Sequence, residues 1–207
     1  MRNIPTVKAD ADGHAPDILV IENGPTEGNP IGHTAIAVTG QGVFSFGNST
    51  PLGSSTTDYL SQQSSRRDTT VYVIKTTPEQ DKAAVNAALK QDEKGTVNVY
   101  PDNCTGRANA VLDAAGIPQA HGPVNPAGPM EMPGPDKSIP GSAGERAQQM
   151  QGNKLLDPGT VQTIPIPKGS APPASLNQFN PGPNQNPQLP KPENKKPVEN
   201  KKQDSSS

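Results

Sequence analysis

Residues 101–118 read PDNCTGRANAVLDAAGIP. Asn103 suits a helix N-cap, because its side-chain oxygen can accept a first-turn N–H, and Cys104 then becomes the first helical residue. Gly116 closes that helix and Pro118 stops it. Cys104, Ala108, Val111, Leu112 and Ala115 recur close to a 3.6-residue period. One apolar stripe, headed by the thiol, is therefore expected to face a sheet.

Toward the N-terminus the sequence supplies that sheet. Residues 96–100 (TVNVY) read as a short strand. Before them, Thr77, Pro78 and Gln80 give an N-cap, a proline at the first helical position and a capping-box glutamine, opening an Ala-rich helix that runs to Lys90. Residues 70–76 (TVYVIKT) alternate as a strand does. Residues 54–67 are polar, with one helical turn expected around Tyr59 and Leu60. Residues 32–50 (GHTAIAVTGQGVFSFGNST) hold two β-rich runs around a turn at residues 39–42, a hairpin signal. If Val38 faces Val43, then His33 stands opposite Asn48 on the same face of the sheet. The β-branched run DILVI, residues 17–21, ends in a cluster of turn residues and reads as the first strand.

Toward the C-terminus the character changes. Of 25 prolines, 18 lie at or beyond Pro118, whereas Phe44, Phe46, Tyr59, Tyr72 and Tyr100 precede it and Phe179 is the sole aromatic after it. The expected organisation is thus an α+β domain over residues 1–121, an antiparallel sheet of about five strands with packed helices. A disordered Pro/Gly/Asn/Lys-rich tail is expected over residues 122–207, whose low hydrophobicity cannot offset its ordering entropy.

Composition excludes several classes. A net charge of −2 and a pI near 5.9 give no basic footprint for nucleic acid. There is no run of about 18 apolar residues, and the N-terminus lacks the apolar core of a secretory signal. A soluble chain made in the cytoplasm, without a transmembrane segment, is expected. A single cysteine excludes intrachain disulfides and Cys-rich zinc patterns, and the three histidines show no metal spacing, so neither metal nor cofactor is expected.

Cys104 then has two readings. It is a small hydrophobe between helix and sheet, or a nucleophile whose ionisation is eased by the helix N-terminus, with first-turn N–H groups ready for an oxyanion. Its place at the cap favours the second. His33 is either a histidine satisfied at a strand end or the base for that thiol, and Asn48 is either a turn residue bonding local backbone or the group that orients the imidazole. His14 and His121 sit in turn-rich flanks, and Tyr100 reads as core. Ser45 in GVFSFG has the wrong spacing and setting for a nucleophile elbow, and GQGVFSFG neither matches GxGxxG nor opens a helix.

The order His33 in GHTAIAV, Asn48 in FSFGN, a central helix, a strand, then a helix opened by Cys104 in DNCTGRANAVLDAAG resembles the circularly permuted branch of the papain-like superfamily that includes NlpC/P60 proteins. DNCTG is similar to that family's nucleophile segment, with an extra Asn between Asp and Cys. The resemblance covers about residues 17–118 and implies Cys104 as nucleophile, His33 as base and Asn48 as orienter. It implies a thiol hydrolase of the amidase or peptidase kind, with peptidoglycan peptides as first substrate and lipid acyl esters as second. It further implies a secreted antibacterial effector, exported by a dedicated secretion machinery and matched by an immunity protein. A non-catalytic adaptor, recruiting Pro-binding modules through its extended tail, is the rival from another class.

Overall fold

The computed structural model describes residues 15–97, 102–118, 141–152 and 159–183. Five strands, β1 (Asp17–Asn23), β2 (His33–Val38), β3 (Gly42–Phe44), β4 (Thr69–Lys75) and β5 (Val161–Ile166), form one antiparallel sheet in the order β3-β2-β1-β4-β5. Four helices, α1 (Thr56–Ser64), α2 (Pro78–Asp92), α3 (Cys104–Ala114) and α4 (Ser142–Gly152), and a 3-10 helix (Ala174–Phe179) cover it. The architecture is α+β.

Both faces of the sheet are buried, which explains why the central strand β1 is a continuous apolar run. Ile18, Val20, Ile36, Val38, Phe44, Tyr72 and Ile74 pack under α2, α3 and α4. Leu19, Ile21, Ala35, Ala37, Val43, Val71 and Val73 pack with Tyr59 and Leu60 of α1 and Leu176 and Phe179 of the 3-10 helix. Each Val, Leu, Ile or Phe among them contributes about 1.5–3 kcal/mol by leaving water.

Local signals fix the helix ends. Thr77 and Gln80 form the capping box of α2, with Pro78 at its start. Asn103 caps α3 by accepting the Gly106 N–H at 2.8 Å, and Gly116 follows the helix at φ +68°. Ala108, Val111, Leu112 and Ala115 bury its stripe against the sheet.

Four expectations need correction. The hairpin pairs Val38 with Gly42 and Ala37 with Val43, one residue away from the expected register. The reversal takes only Thr39–Gln41, helped by Gly40 and Gly42 at positive φ, so Gly42 already belongs to the ladder. Residues 56–64 form a full helix rather than one turn. Most consequentially, residue 121 is not the edge of the ordered core. Within the stretch expected to be a disordered tail, α4 buries Ala143, Ala147 and Met150, β5 completes the sheet, and the 3-10 helix buries Leu176 and Phe179. Prolines averaged over a long window hid these short apolar groups. Pro165 itself suits β5, an edge strand, where a missing N–H leaves no ladder bond unmade. Of the expected strand at 96–100, residues 98–100 lie outside the described residues, as do His14, His121 and Tyr100, and residues 96 and 97 are not in a strand.

Candidate functional site

Cys104 is the first residue of α3 and is half-buried. The segment that presents it is held from below by Arg107, which is 2% exposed. Its guanidinium clasps Asp102 through Nε at 2.9 Å and Nη2 at 2.8 Å, and donates to the Gln91, Gly95 and Thr96 carbonyls. That bidentate ion pair holds the Asp102 carboxyl below its ordinary value. At the other end of α3, Arg146 of α4 binds Asp113 and the Ile117 and Pro118 carbonyls. Asn103 Oδ1 satisfies the Gly106 N–H, while the Cys104 and Thr105 N–H groups donate to no described residue. They remain available at the positive end of the helix.

Thr105 links this helix to the sheet: its Oγ1 lies 2.9 Å from Thr34 Oγ1 of β2 and 3.9 Å from Cys104 Sγ. Cys104 and His33 are thus chain neighbours of two residues in direct contact. They do not hydrogen-bond each other: His33 Nε2 lies 2.8 Å from Ser45 Oγ and 3.3 Å from Asn48 Nδ2.

The structure therefore brings His33 and Asn48 together despite the shifted register. Beyond Phe44 the chain leaves the ladder and turns, so the side chain of Asn48 arrives by a bend and not by cross-strand pairing. Asn48 Oδ1 accepts the Thr50 N–H at 2.9 Å, leaving Nδ2 to donate to Ser45 Oγ at 2.6 Å and toward His33. Ser45 is 3% exposed and also reaches Tyr59 Oη at 3.5 Å. Tyr59 Oη and the His33 carbonyl both accept from Asn23 Nδ2, whose own oxygen is fixed by Thr69.

The chain of hydroxyls decides the imidazole tautomer. With the Ser45 proton turned toward Tyr59, Ser45 accepts Nε2–H and the Nδ1 lone pair is free; turned toward Nε2, it leaves the proton on Nδ1. Nδ1 bonds no described residue, so it is the ring nitrogen free to meet a reactant. Burial first, and the Arg67 guanidinium second, push His33 down to about 4, making it neutral at pH 7. Burial likewise pushes Tyr59 up to about 12, with the Cys104 charge adding to the rise.

Ser45, Tyr59 and Asn23 were missed as members of the cluster. The alternation of Ser45 with Phe44 and Phe46 carried the signal, since it turns a polar side chain to the face that His33 shares. A separate cavity of about 110 Å³, lined by Asp17, Lys75 and Gln178 among others, lies where β1 begins and β4 ends, the opposite end of the sheet from His33. Among the described residues no group of three or more His, Cys, Asp or Glu could hold a metal ion, and no helix is long and apolar enough to cross a membrane. Comparison with protein-family models, with curated proteins and with solved structures finds no match.

Proposed function

We propose that the protein is a cysteine hydrolase that cleaves amide bonds. The observation that carries this reading is a half-buried cysteine on the first residue of α3, beside helix N–H groups that donate to no described residue, at the same end of the sheet as a neutral imidazole on the other face whose Nε2 contacts Ser45. Cys104 attacks the carbonyl carbon as thiolate, and the Cys104 and Thr105 N–H groups receive the oxyanion. His33 accepts the thiol proton at Nδ1, gives it to the leaving amine, and then takes a proton from the water that cleaves the thioester. Ser45 orients the ring by accepting Nε2–H, and Asn48 holds Ser45 by donating to its Oγ.

Peptide bonds of peptidoglycan are the substrate class proposed first, by the resemblance to NlpC/P60 proteins. The same resemblance supports a role as a secreted antibacterial effector with a cognate immunity protein. Lipid acyl esters are the second reading, by the same resemblance.

The test incubates purified protein with peptidoglycan and, separately, with phospholipid vesicles, and analyses products by mass spectrometry. New peptide termini, reduced about a thousandfold or more in Cys104→Ala, are expected. Fatty-acid release in their place selects the lipid reading. Full activity in Cys104→Ala sinks the hydrolase. No product from either substrate, together with alkylation of Cys104 as slow as that of an ordinary thiol, selects the adaptor.

A further inference from the structure

Glu22, a carboxylic acid beside the thiol's contact with the sheet, has no part in the arrangement above. It precedes Asn23 on β1 and so belongs to the opposite face of the sheet from Asn23 and His33. Its Oε1 accepts the Gly144 N–H at 2.9 Å in the first turn of α4, and its Oε2 accepts the Thr34 hydroxyl at 2.9 Å. Gly144 permits this approach: a Cβ there would meet Glu22 Cγ at 2.9 Å and Tyr72 Cε2 at 3.0 Å.

From Thr34 the contacts run on to Thr105 Oγ1 at 2.9 Å and to Cys104 Sγ at 3.9 Å. A threonine hydroxyl has a single proton to donate. With Glu22 ionised, Thr34 gives its proton to the carboxylate, so Thr105 must donate to Thr34 and the thiol must donate to Thr105. With Glu22 protonated, every donor turns the other way and Thr105 donates to the sulfur, which can then rest as a thiolate. Both states satisfy both hydroxyls, and they differ only in where one proton resides.

We propose that Cys104 and Glu22 share one proton through Thr105 and Thr34, making the carboxylate the resting acceptor for the thiol proton. In the step, the S–H bond breaks, each hydroxyl passes on its proton and receives one, and an O–H bond forms on Glu22 Oε2. One negative charge moves from carboxylate to sulfur, and no other reactant is needed. The proposal rests on Cys104 as nucleophile: before substrate arrives Glu22 exchanges the proton with the thiol, and in turnover the proton that His33 carries to the leaving amine departs from sulfur.

The surroundings suit that exchange. Burial pushes Glu22 up to about 7, against the pull of its two hydrogen bonds, and Glu145 on α4 pushes the same way. No described cation pairs with it. Arg146, also on α4, is engaged with Asp113. Tyr72 on β4 accepts at Oη from Gln148 Nε2, and His33 belongs to the other face. The acid therefore titrates close to the range of a thiol, whose ordinary value is about 8.5.

The experiment titrates both partners in the full-length protein without substrate. Iodoacetamide alkylation of Cys104 is followed against pH, and the Glu22 carboxyl is followed by ¹³C NMR. In the wild type the alkylation rate is expected to climb in two steps, and in Glu22→Gln and Thr105→Val in one. Cys104→Ala is expected to shift the Glu22 midpoint by about one pH unit, the reciprocal of what Glu22→Gln does to the thiol. The glutamine side chain of Glu22→Gln keeps an oxygen for Gly144 and offers its amide nitrogen to Thr34, so α4 stays capped; should this variant fail to fold, Thr105→Val and Cys104→Ala carry the test. Profiles unchanged by both Glu22→Gln and Thr105→Val, or a Glu22 midpoint indifferent to Cys104→Ala, overturn the proposal. A shift in Glu22→Gln with Thr105→Val behaving as wild type assigns the coupling to charge across space and also overturns the shared path. Since no turnover is read, such a failure leaves the hydrolase standing, whereas hydrolysis retained by Cys104→Ala removes the hydrolase and leaves the coupling measurable.

Discussion

On the face of the sheet covered by α2, α3 and α4, the ionisable residue at the strand ends is an acid, Glu22; on the face covered by α1 and the 3-10 helix, it is a base, His33. The ladder produces the pairing. Glu22 faces Thr34 and Asn23 faces His33, and each step along a strand changes face. Burial acts on both with opposite sign on the pKa, raising Glu22 to about 7 and lowering His33 to about 4. Each is driven toward its neutral form, a protonated acid on one side and an unprotonated base on the other, so burial disfavours the charged state on both faces.

The largest effect expected comes from what the two faces have in common. Ending the chain after residue 121 removes α4 from one face, Leu176 and Phe179 from the other, and β5 from the edge of β4. The fragment is expected to show no cooperative thermal transition by circular dichroism. A cooperatively melting fragment would show that the first face suffices alone.

Next comes the face with less helical cover. Phe179, fully buried against α1, should cost roughly 3–5 kcal/mol when cut to alanine, measured by urea unfolding. A loss below about 1 kcal/mol would mean that this face is loosely packed and that the helical face holds the fold.

The smallest effect separates the faces by pH. His33, lowered from its ordinary 6.5, contributes stability that is present above 6.5 and lost as pH falls toward about 4. Glu22, raised from its ordinary 4.5, contributes stability present below 4.5 and lost as pH rises through about 7. Asp17 and Asp81, each raised to about 6 mainly by burial, act in the same direction as Glu22 but finish earlier. Glu22→Gln should therefore match the wild type in Tm at or below pH 4.5 and exceed it above pH 7, by roughly 1–3 kcal/mol in stability. His33→Gln should flatten only the acid limb. Equal gains at all pH values would remove the opposition between the faces.

How much of this is legible without coordinates depends on how local its cause is. The caps of α2 and α3 are written within four residues each, and Thr77 with Gln80 and Asn103 with Gly106 form as the sequence implies. The hairpin register depends on whether Gly42 joins the turn or the ladder, which the turn residues alone do not decide. β5 and the 3-10 helix escape notice because their apolar residues are sparse and set among prolines, and only the open edge of β4 and the face of α1 give them a partner. In the site, His33, Asn48 and Cys104 stand out by residue type. Ser45 and Tyr59 become visible only once the bend after Phe44 brings Asn48 back to them. Glu22 closes an apolar run and looks like a solvated strand end; nothing in the neighbouring sequence announces that Thr105 and Gly144 will cover it.

The pairing of β4 with β5 also has a consequence in time. Val161 meets Ile74 across an interval that contains α2, α3 and α4, so the last seam of the sheet has a high contact order. Local helices and the β1–β2–β4 core form from near neighbours, while this seam must wait for loop closure over a long stretch of chain. During synthesis from the N-terminus, the helix bearing the thiol emerges while β4 still exposes a bare edge. Protection of that edge and assembly of the α4 contact to Glu22 both depend on the final third of the chain, so reactivity of Cys104 in nascent chains would report how late the protein becomes itself.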